Sequence, residues 1–141
     1  MGKARLIIMP LFISLVLTCI TYFLFVIIDL ITNYHTADLL LNIDFVRNYQ
    51  NITLIEELSY HFLTTFIIVI ITIVIYVNFN KLKIIFLTTL FIIFTVLYPI
   101  LIKMSERDIF QYSLNEHVIW IVGHILFLYL LNIIVTRSYL K

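Results

Sequence analysis

Four long apolar stretches constrain this chain more than any other feature of its sequence. They cover residues 6–31, 62–79, 84–102 and 118–135. About 20 apolar residues span the hydrocarbon core of a bilayer, and a helix pairs every backbone amide within the segment itself. The sequence therefore predicts an all-α integral membrane protein, an antiparallel four-helix transmembrane bundle in which all 141 residues form one domain.

The distribution of charge predicts how the spans are oriented. The chain ends and the turn between spans two and three carry only basic residues, namely Lys3, Arg5, Lys81, Lys83, Arg137 and Lys141. The segments 32–60 and 103–117, with their membrane edges, carry every acidic residue. Because loops rich in Lys and Arg stay in the cytoplasm, both termini are predicted to be cytoplasmic and these two segments outside. The location predicted is a bacterial cytoplasmic (inner) membrane, with a multi-pass topology.

Two capping patterns predict helices that begin outside the membrane. Thr53-Leu54-Ile55-Glu56 and Ser113-Leu114-Asn115-Glu116 both place a hydroxyl residue three positions before a Glu, as in a capping box. Helices are therefore expected to start near Leu54 and Leu114. Thr36 is a further candidate cap, for a short interfacial helix over about 37–49. A folded loop packed on top of the bundle is the alternative for that segment.

Four ionisable residues fall within or at the rim of the spans: Asp29, His61, His117 and His124. Such groups are costly in lipid and are candidates for function. One hypothesis is structural, with Asp29 accepting a hydrogen bond from a His or Tyr and thereby fixing helix register. A second is a proton-linked or zinc or copper site that uses Asp29, His61 and His124. A third is haem held between His61 and His124. No HxxxH or HExxH motif is present, so no cofactor is predicted, and His61 and His124 are metal candidates only if a metal is found.

Enzyme motifs are missing from the sequence, and the chain is predicted not to be an enzyme. There is no Walker loop, no GxSxG and no Cys beside a base. The single cysteine, Cys19, cannot form an internal disulfide. The six cations of the predicted cytoplasmic face suit anionic lipid headgroups. They are too few and too scattered to indicate a nucleic-acid partner.

The outer segments carry the sizeable polar surface of the chain. A membrane-inserted partner would meet the large apolar side chains within the bilayer and be steered by charges outside it. The candidate partner-binding residues are Asp38, Asp44, Arg47, Glu56, Glu57, Lys103, Glu106, Arg107 and Asp108.

Two short patches carry a resemblance to a known family. They are the basic turn Asn78-Phe79-Asn80-Lys81-Leu82-Lys83 and the leucine run Ala37-Asp38-Leu39-Leu40-Leu41. Together with the four-span layout, they resemble the immunity proteins that protect bacteria from pore-forming colicins. The resemblance implies a protein that blocks the helical hairpin of a toxin in the bilayer before the pore opens.

The predicted function is that of a non-enzymatic inner-membrane protein that recognises and blocks, or senses, a membrane-inserting partner, of the toxin-immunity or phage-exclusion type. A metal- or haem-binding membrane protein is one alternative. An accessory subunit, or a small channel, of a larger membrane complex is another.

Overall fold

The computed structural model describes residues 3–46 and 49–140. Four long helices dominate this part of the chain: α1 (Lys3–Thr32), α3 (Leu54–Asn78), α4 (Lys83–Met104) and α5 (Leu114–Tyr139). A short helix, α2 (Thr36–Leu41), follows α1, and 3-10 turns cover Tyr49–Asn51 and Asn80–Leu82. No strand occurs among the described residues. The prediction of an all-helical chain is confirmed.

Each long helix is apolar over enough residues to cross a bilayer. The candidate spans are Ile8–Thr32, Leu54–Asn78, Asn80–Met104 and Leu114–Tyr139. They match the four predicted spans, and the last two extend beyond the predicted bounds at both ends. The early starts of Leu54–Asn78 and Leu114–Tyr139 follow from capping residues.

Helices α3 and α5 begin at the predicted residues, Leu54 and Leu114. At α3 the capping box is complete, because the Thr53 hydroxyl accepts from the Glu56 amide and the Glu56 carboxylate accepts from the Thr53 amide at 2.8 Å. At α5 the Ser113 hydroxyl accepts from the Glu116 amide at 3.4 Å. The Glu116 carboxylate instead accepts from the Tyr98 hydroxyl on α4, at 3.3 Å, so it joins two helices.

Helix α5 packs against all three other long helices, α1, α3 and α4. The most extensive contacts join α1 to α3 and α4 to α5. α3 and α4 are consecutive, yet they make few direct contacts with each other. We call the end of the molecule formed by residues 32–60 and 103–117 the acidic end, and the end formed by the 78–83 turn and the last turn of α5 the basic end.

Two groups of buried apolar side chains form the core. One lies toward the basic end and includes Leu17, Val69, Tyr76, Leu131 and Val135. The other lies toward the acidic end and includes Phe25, Leu39, Tyr98, Leu101 and Trp120. At the basic end the Tyr76 hydroxyl also donates to Asn132 Oδ1 at 2.9 Å, and Lys83 Nζ lies 4.6 Å from the centre of the Tyr76 ring.

Proline 99 creates the main interlock between α4 and α5. It has no N–H, so the carbonyl of Thr95, four residues earlier, has no donor within its own helix. The Nε2–H of His117 on α5 donates to that carbonyl at 2.9 Å. Beside it, Trp120 Nε1 donates to the carbonyl of Phe94 at 2.8 Å. Side chains of α5 therefore complete the backbone hydrogen bonding of α4, which allows α4 to continue through Pro99 to Met104.

Helix α2 is shorter than predicted, because it ends at Leu41 and not near residue 49. The Asn42 backbone is extended, and the Asn42 side-chain oxygen accepts from the Asp44 amide at 2.8 Å. Such local side-chain bonds compete with the helix for backbone amides. α2 is also buried against the long helices, with Leu39 and Leu41 almost inaccessible. The residues after it, 42–46, form a folded loop on the acidic end, which is the alternative considered for this segment.

The interlock at Pro99 predicts a specific coupling between two substitutions. His117→Ala leaves the Thr95 carbonyl without a donor, so the free energy of unfolding should fall by about 1–3 kcal/mol. In a Pro99→Ala background residue 99 has an amide that bonds to Thr95, and the same substitution should cost less. Unfolding in mixed micelles measures both differences, with His35→Ala on the exposed side of the acidic end as the control. Equal costs in the two backgrounds would contradict the interlock.

Candidate functional site

A buried ion cluster joins three separate segments of the acidic end. The guanidinium of Arg107 lies between two carboxylates, 3.0 Å from Asp44 Oδ1 and hydrogen-bonded to Glu57 Oε1. Asp44 also accepts from the Ser105 hydroxyl at 2.7 Å and from the Glu106 amide at 3.3 Å. Only 4% of Asp44 and 9% of Glu57 is exposed. We call Arg107, Asp44, Glu57 and Ser105 the Arg107 cluster.

The position of Arg107 changes its protonation equilibrium. Burial by itself would lower the pKa of the guanidinium. The hydrogen bond and charge of Glu57, followed by those of Asp44, outweigh that effect and raise the pKa above its ordinary value. Arg107 therefore stays charged, and it compensates two carboxylates that the fold has removed from water.

The cluster divides the predicted partner-binding residues into two groups. Asp44, Glu57 and Arg107 bond to one another, so they hold the acidic end together from within. Glu56 is half-buried in the capping box of α3. Arg47 lies outside the described residues. The predicted charges that the structure places on the exposed surface are Asp38, Lys103, Glu106 and Asp108.

Asp29 connects α1 to α2. Its carboxylate accepts from the Thr36 amide at 3.1 Å, from the Thr36 hydroxyl at 2.6 Å and from the Ala37 amide at 2.7 Å. Between the helices Asn33 adopts a left-handed conformation with φ of 58°, which Asn tolerates better than most residues. A carboxylate at these free amides is favourable. A His or Tyr donor to Asp29 was predicted, but the donors come from α2. In the structure Asp29 serves to join α1 to α2.

The three histidines of the predicted intramembrane cluster have different surroundings. His117 donates to Thr95, and its Nδ1 accepts from the Tyr112 hydroxyl at 3.2 Å, so both ring nitrogens are bonded. His124 is 5% exposed and its Nδ1–H donates to the Trp120 carbonyl at 2.8 Å. The His124 ring lies 4.5 Å from Trp120 and 4.6 Å from Phe94, measured between ring centres.

Glycine 123 makes room for this group of rings. A Cβ atom at position 123 would lie 2.4 Å from Cζ of Phe25, which is closer than any real contact. The missing side chain therefore lets Phe25 on α1 reach across α5. Its ring then lies 5.8 Å from both Trp120 and His124.

A cavity of about 330 Å³ lies between α3, α4 and α5 and connects the two core groups. Leu40, Leu101 and Trp120 line it from the core of the acidic end, and Phe94 and Phe127 line it from the other. Residues 40–43, 45 and 46, from α2 and the loop after it, cover one side. His61 and His124 both line this cavity. The structure thus brings together two of the four predicted cluster residues.

Two residues that line the cavity each have a buried polar atom with no hydrogen-bond partner within the described part of the chain. The atoms are His61 Nε2 and Asn42 Nδ2. Buried polar atoms are nearly always paired, so two unpaired ones in residues that line one cavity are unusual.

The metal hypothesis needs three ligands, and the structure does not assemble them. Over residues 3–46 and 49–140, no group of three or more His, Cys, Asp and Glu side chains could hold a metal ion. Asp29 lines a shallow depression beside His35 and Asp38, whereas His61 and His124 line the cavity.

Two important residues were missed by sequence reasoning: Asn42 bends the chain and lines the cavity, and Ser105 donates to Asp44. The cap predicted at Thr36 is wrong, because Thr36 is the first residue of α2 and its hydroxyl donates to Asp29. Asn42 carried one usable signal, because an Asn side chain commonly accepts from the backbone amide two residues on and so forms a turn. Ser105 carried none, because its partner lies 61 positions away in the sequence.

The Arg107 cluster predicts a large loss of stability when its cation is removed. Arg107→Met leaves two buried carboxylates unpaired, so the free energy of unfolding should fall by about 3–5 kcal/mol. Adding Asp44→Asn and Glu57→Gln should recover part of that loss. Lys103→Met, an exposed cation near the same segment, is the matched control and should change it by under about 0.5 kcal/mol. Similar losses for Arg107→Met and Lys103→Met in a thermal or detergent unfolding experiment would contradict the assignment.

Comparison of the chain with protein families, with curated proteins and with solved structures gave no match.

Proposed function

We propose that this chain is a non-enzymatic, multi-pass protein of a bacterial inner membrane that recognises a membrane-inserting partner and blocks or senses it. Its helices form an antiparallel four-helix transmembrane bundle, with both termini in the cytoplasm and the acidic end outside. The toxin-immunity or phage-exclusion type of function is the form of this activity that we favour.

The observation that carries the proposal is the construction of the acidic end. The Arg107 cluster joins the loop after α2, the first turn of α3 and the segment after α4 through buried contacts. The charges of Asp38, Lys103, Glu106 and Asp108 remain exposed beside these joined segments. Because a surface that is already ordered loses little entropy on binding, it suits recognition of a partner. Mixed charges on such a surface steer the partner and select its orientation.

The sides of the bundle support contact within the bilayer. Large apolar side chains are exposed along every long helix, for example Phe12 and Phe23 on α1, Ile67 on α3, Ile93 on α4 and Val122 on α5. Either lipid or an inserted helix can cover such surfaces. Interhelical packing in lipid depends on close van der Waals contact, which a partner helix with a complementary surface would supply.

The pairing of side chains between helices supports the antiparallel arrangement. Lys83 near the start of α4 meets Thr136 near the end of α5, at 3.3 Å. Farther along α4, Phe94 meets Trp120, and Tyr98 meets Glu116 near the start of α5. With the basic residues retained inside, this arrangement exports the acidic end.

The proposed orientation predicts a labelling pattern in intact cells. In a Cys19→Ala background, a cysteine at Asp108 should react with a membrane-impermeant maleimide. A cysteine at Lys81 should react only after the membrane is permeabilised. Both positions are exposed, so accessibility within the fold does not limit the reaction. Labelling of the two positions from the same side would contradict the orientation and remove the proposed partner surface.

The proposed activity predicts protection of cells. Bacteria that express the chain should resist depolarisation by at least one member of a panel of pore-forming bacteriocins, read with a potential-sensitive dye. Lys103→Glu combined with Asp108→Lys should reduce protection at equal protein level, because both charges lie on the exposed acidic end. Lys81→Glu at the basic end is the matched control and should leave protection unchanged. Depolarisation at the same dose with and without the chain, across the whole panel, would refute the proposal.

A further inference from the structure

The cavity between α3, α4 and α5 is a site that the proposed function does not use. Its exposed lining residues come from α3 and from the loop after α2: Tyr60, Thr64, Phe45 and Val46. The mouth therefore lies where α3 meets that loop, at the boundary between the outer segment 32–60 and the predicted span 62–79. An amphipathic molecule at the membrane surface can reach it there.

The cavity wall selects for a neutral molecule. No Asp, Glu, Lys or Arg is among its described lining residues. An ionised carboxylate or a phosphate would lose its hydration there without a cation to compensate it. Fatty-acid anions and phospholipid headgroups are therefore poor occupants.

Aromatic faces form one side of the cavity. Phe94, Trp120, His124 and Phe127 line it from α4 and α5, and their rings already pack on one another. Trp120 Nε1 and His124 Nδ1 are bonded to backbone carbonyls, so the rings contribute faces and edges rather than these donors. Such walls favour a flat ring that stacks against them.

The unpaired atoms indicate which hydrogen-bonding groups a bound ring must carry. Asn42 Oδ1 accepts from the Asp44 amide, which fixes the orientation of the side-chain amide and leaves Nδ2 as a donor facing no partner in the described chain. His61 Nε2 is a second such atom and acts as a donor in one tautomer of the neutral ring. In that tautomer both atoms are donors, and a molecule with oxygen acceptors satisfies them.

We propose that this cavity binds the head group of a lipid-soluble quinone, a flat neutral ring with two carbonyl oxygens. The ring stacks on the aromatic wall, and its carbonyls accept from His61 and Asn42 once these two side chains turn toward the bound ring. The apolar tail leaves through the mouth beside Tyr60 and Thr64 into the bilayer. The volume of about 330 Å³ suits a head group and the start of a tail, since ligand pockets begin near 300 Å³.

The only tryptophan of the chain provides a direct test, because Trp120 lines the cavity. The full chain, purified in detergent, is titrated with a decyl-benzoquinone while tryptophan fluorescence is recorded. We expect saturable quenching. Decanol, which has the tail but neither ring nor carbonyl, should not compete. Competition by decanol at equal concentration would overturn the assignment of a carbonyl-bearing ring.

The variants separate binding from folding. His61→Phe keeps a ring of similar shape and removes an atom that has no partner to lose, so the fold should be as stable as before. Quinone binding should weaken about tenfold, as expected for one hydrogen bond. His61→Gln retains a donor and should bind with intermediate strength. Thr64→Phe narrows the mouth at an exposed position and should weaken binding without entering the core.

Thr89→Val is the matched control, because Thr89 is exposed on α4, bonds only to its own helix and does not line the cavity. Its affinity should equal that of the unchanged chain. Quenching that never saturates, or that is equal in the unchanged chain and in His61→Phe, would mean that the quinone partitions into detergent and the cavity holds only water. Either result overturns the proposal.

Discussion

The guanidinium of Arg107, placed between two buried carboxylates, is the contact on which the acidic end depends. Asp44 lies after α2, Glu57 in the first turn of α3, and Arg107 after α4. A buried carboxylate without a cation is strongly unfavourable, so each segment is stable in its position only while the other two are present. The loop that carries Asp44 also covers one side of the cavity. The shape of the cavity therefore depends on an ion cluster outside it.

The second constraint is that backbone polar groups in lipid must find partners within the protein. Pro99 removes one donor from α4, and His117 on α5 replaces it. Asp29 supplies an acceptor to the amides that begin α2, and Thr53 and Ser113 supply acceptors at the starts of α3 and α5. Polar side chains near the acidic end thus serve mainly to complete the backbone. His61 Nε2 and Asn42 Nδ2 have no such partner among the described residues, and both residues line the cavity.

The confirmed predictions of helix starts concern residues that are close together in the sequence. The starts of α3 and α5 follow from a hydroxyl residue and a Glu three positions apart, a spacing that only a helix start brings into contact. The length of α2 was predicted incorrectly because Leu39, Leu40, Ile43 and Val46 fit a helical period, while the Asn42 side chain competes for the Asp44 amide. Helical period alone does not reveal that competition.

Pairing between charged residues that are far apart in the sequence was not predicted. From the sequence alone, one outer surface was expected to contain Asp44, Glu57 and Arg107 together with Asp38, Lys103 and Asp108. The structure buries the first three and exposes the others, because Arg107 meets Asp44 across 63 positions and Glu57 across 50. No periodicity encodes a contact of that separation.

By itself the sequence determined that four helices are long and apolar enough to cross a membrane, where two of them begin, and that acidic and basic residues are kept apart. These properties depend on composition, on local hydrogen bonds and on helical geometry, all of which act over a few residues. Only the tertiary structure decided which charges pair, which histidines are bonded and where a cavity remains. Those outcomes depend on how large side chains of five helices fill the space between them, with Gly123 admitting Phe25 and α3 standing away from α4. Packing of that kind is set by all the contacts at once and not by any one segment.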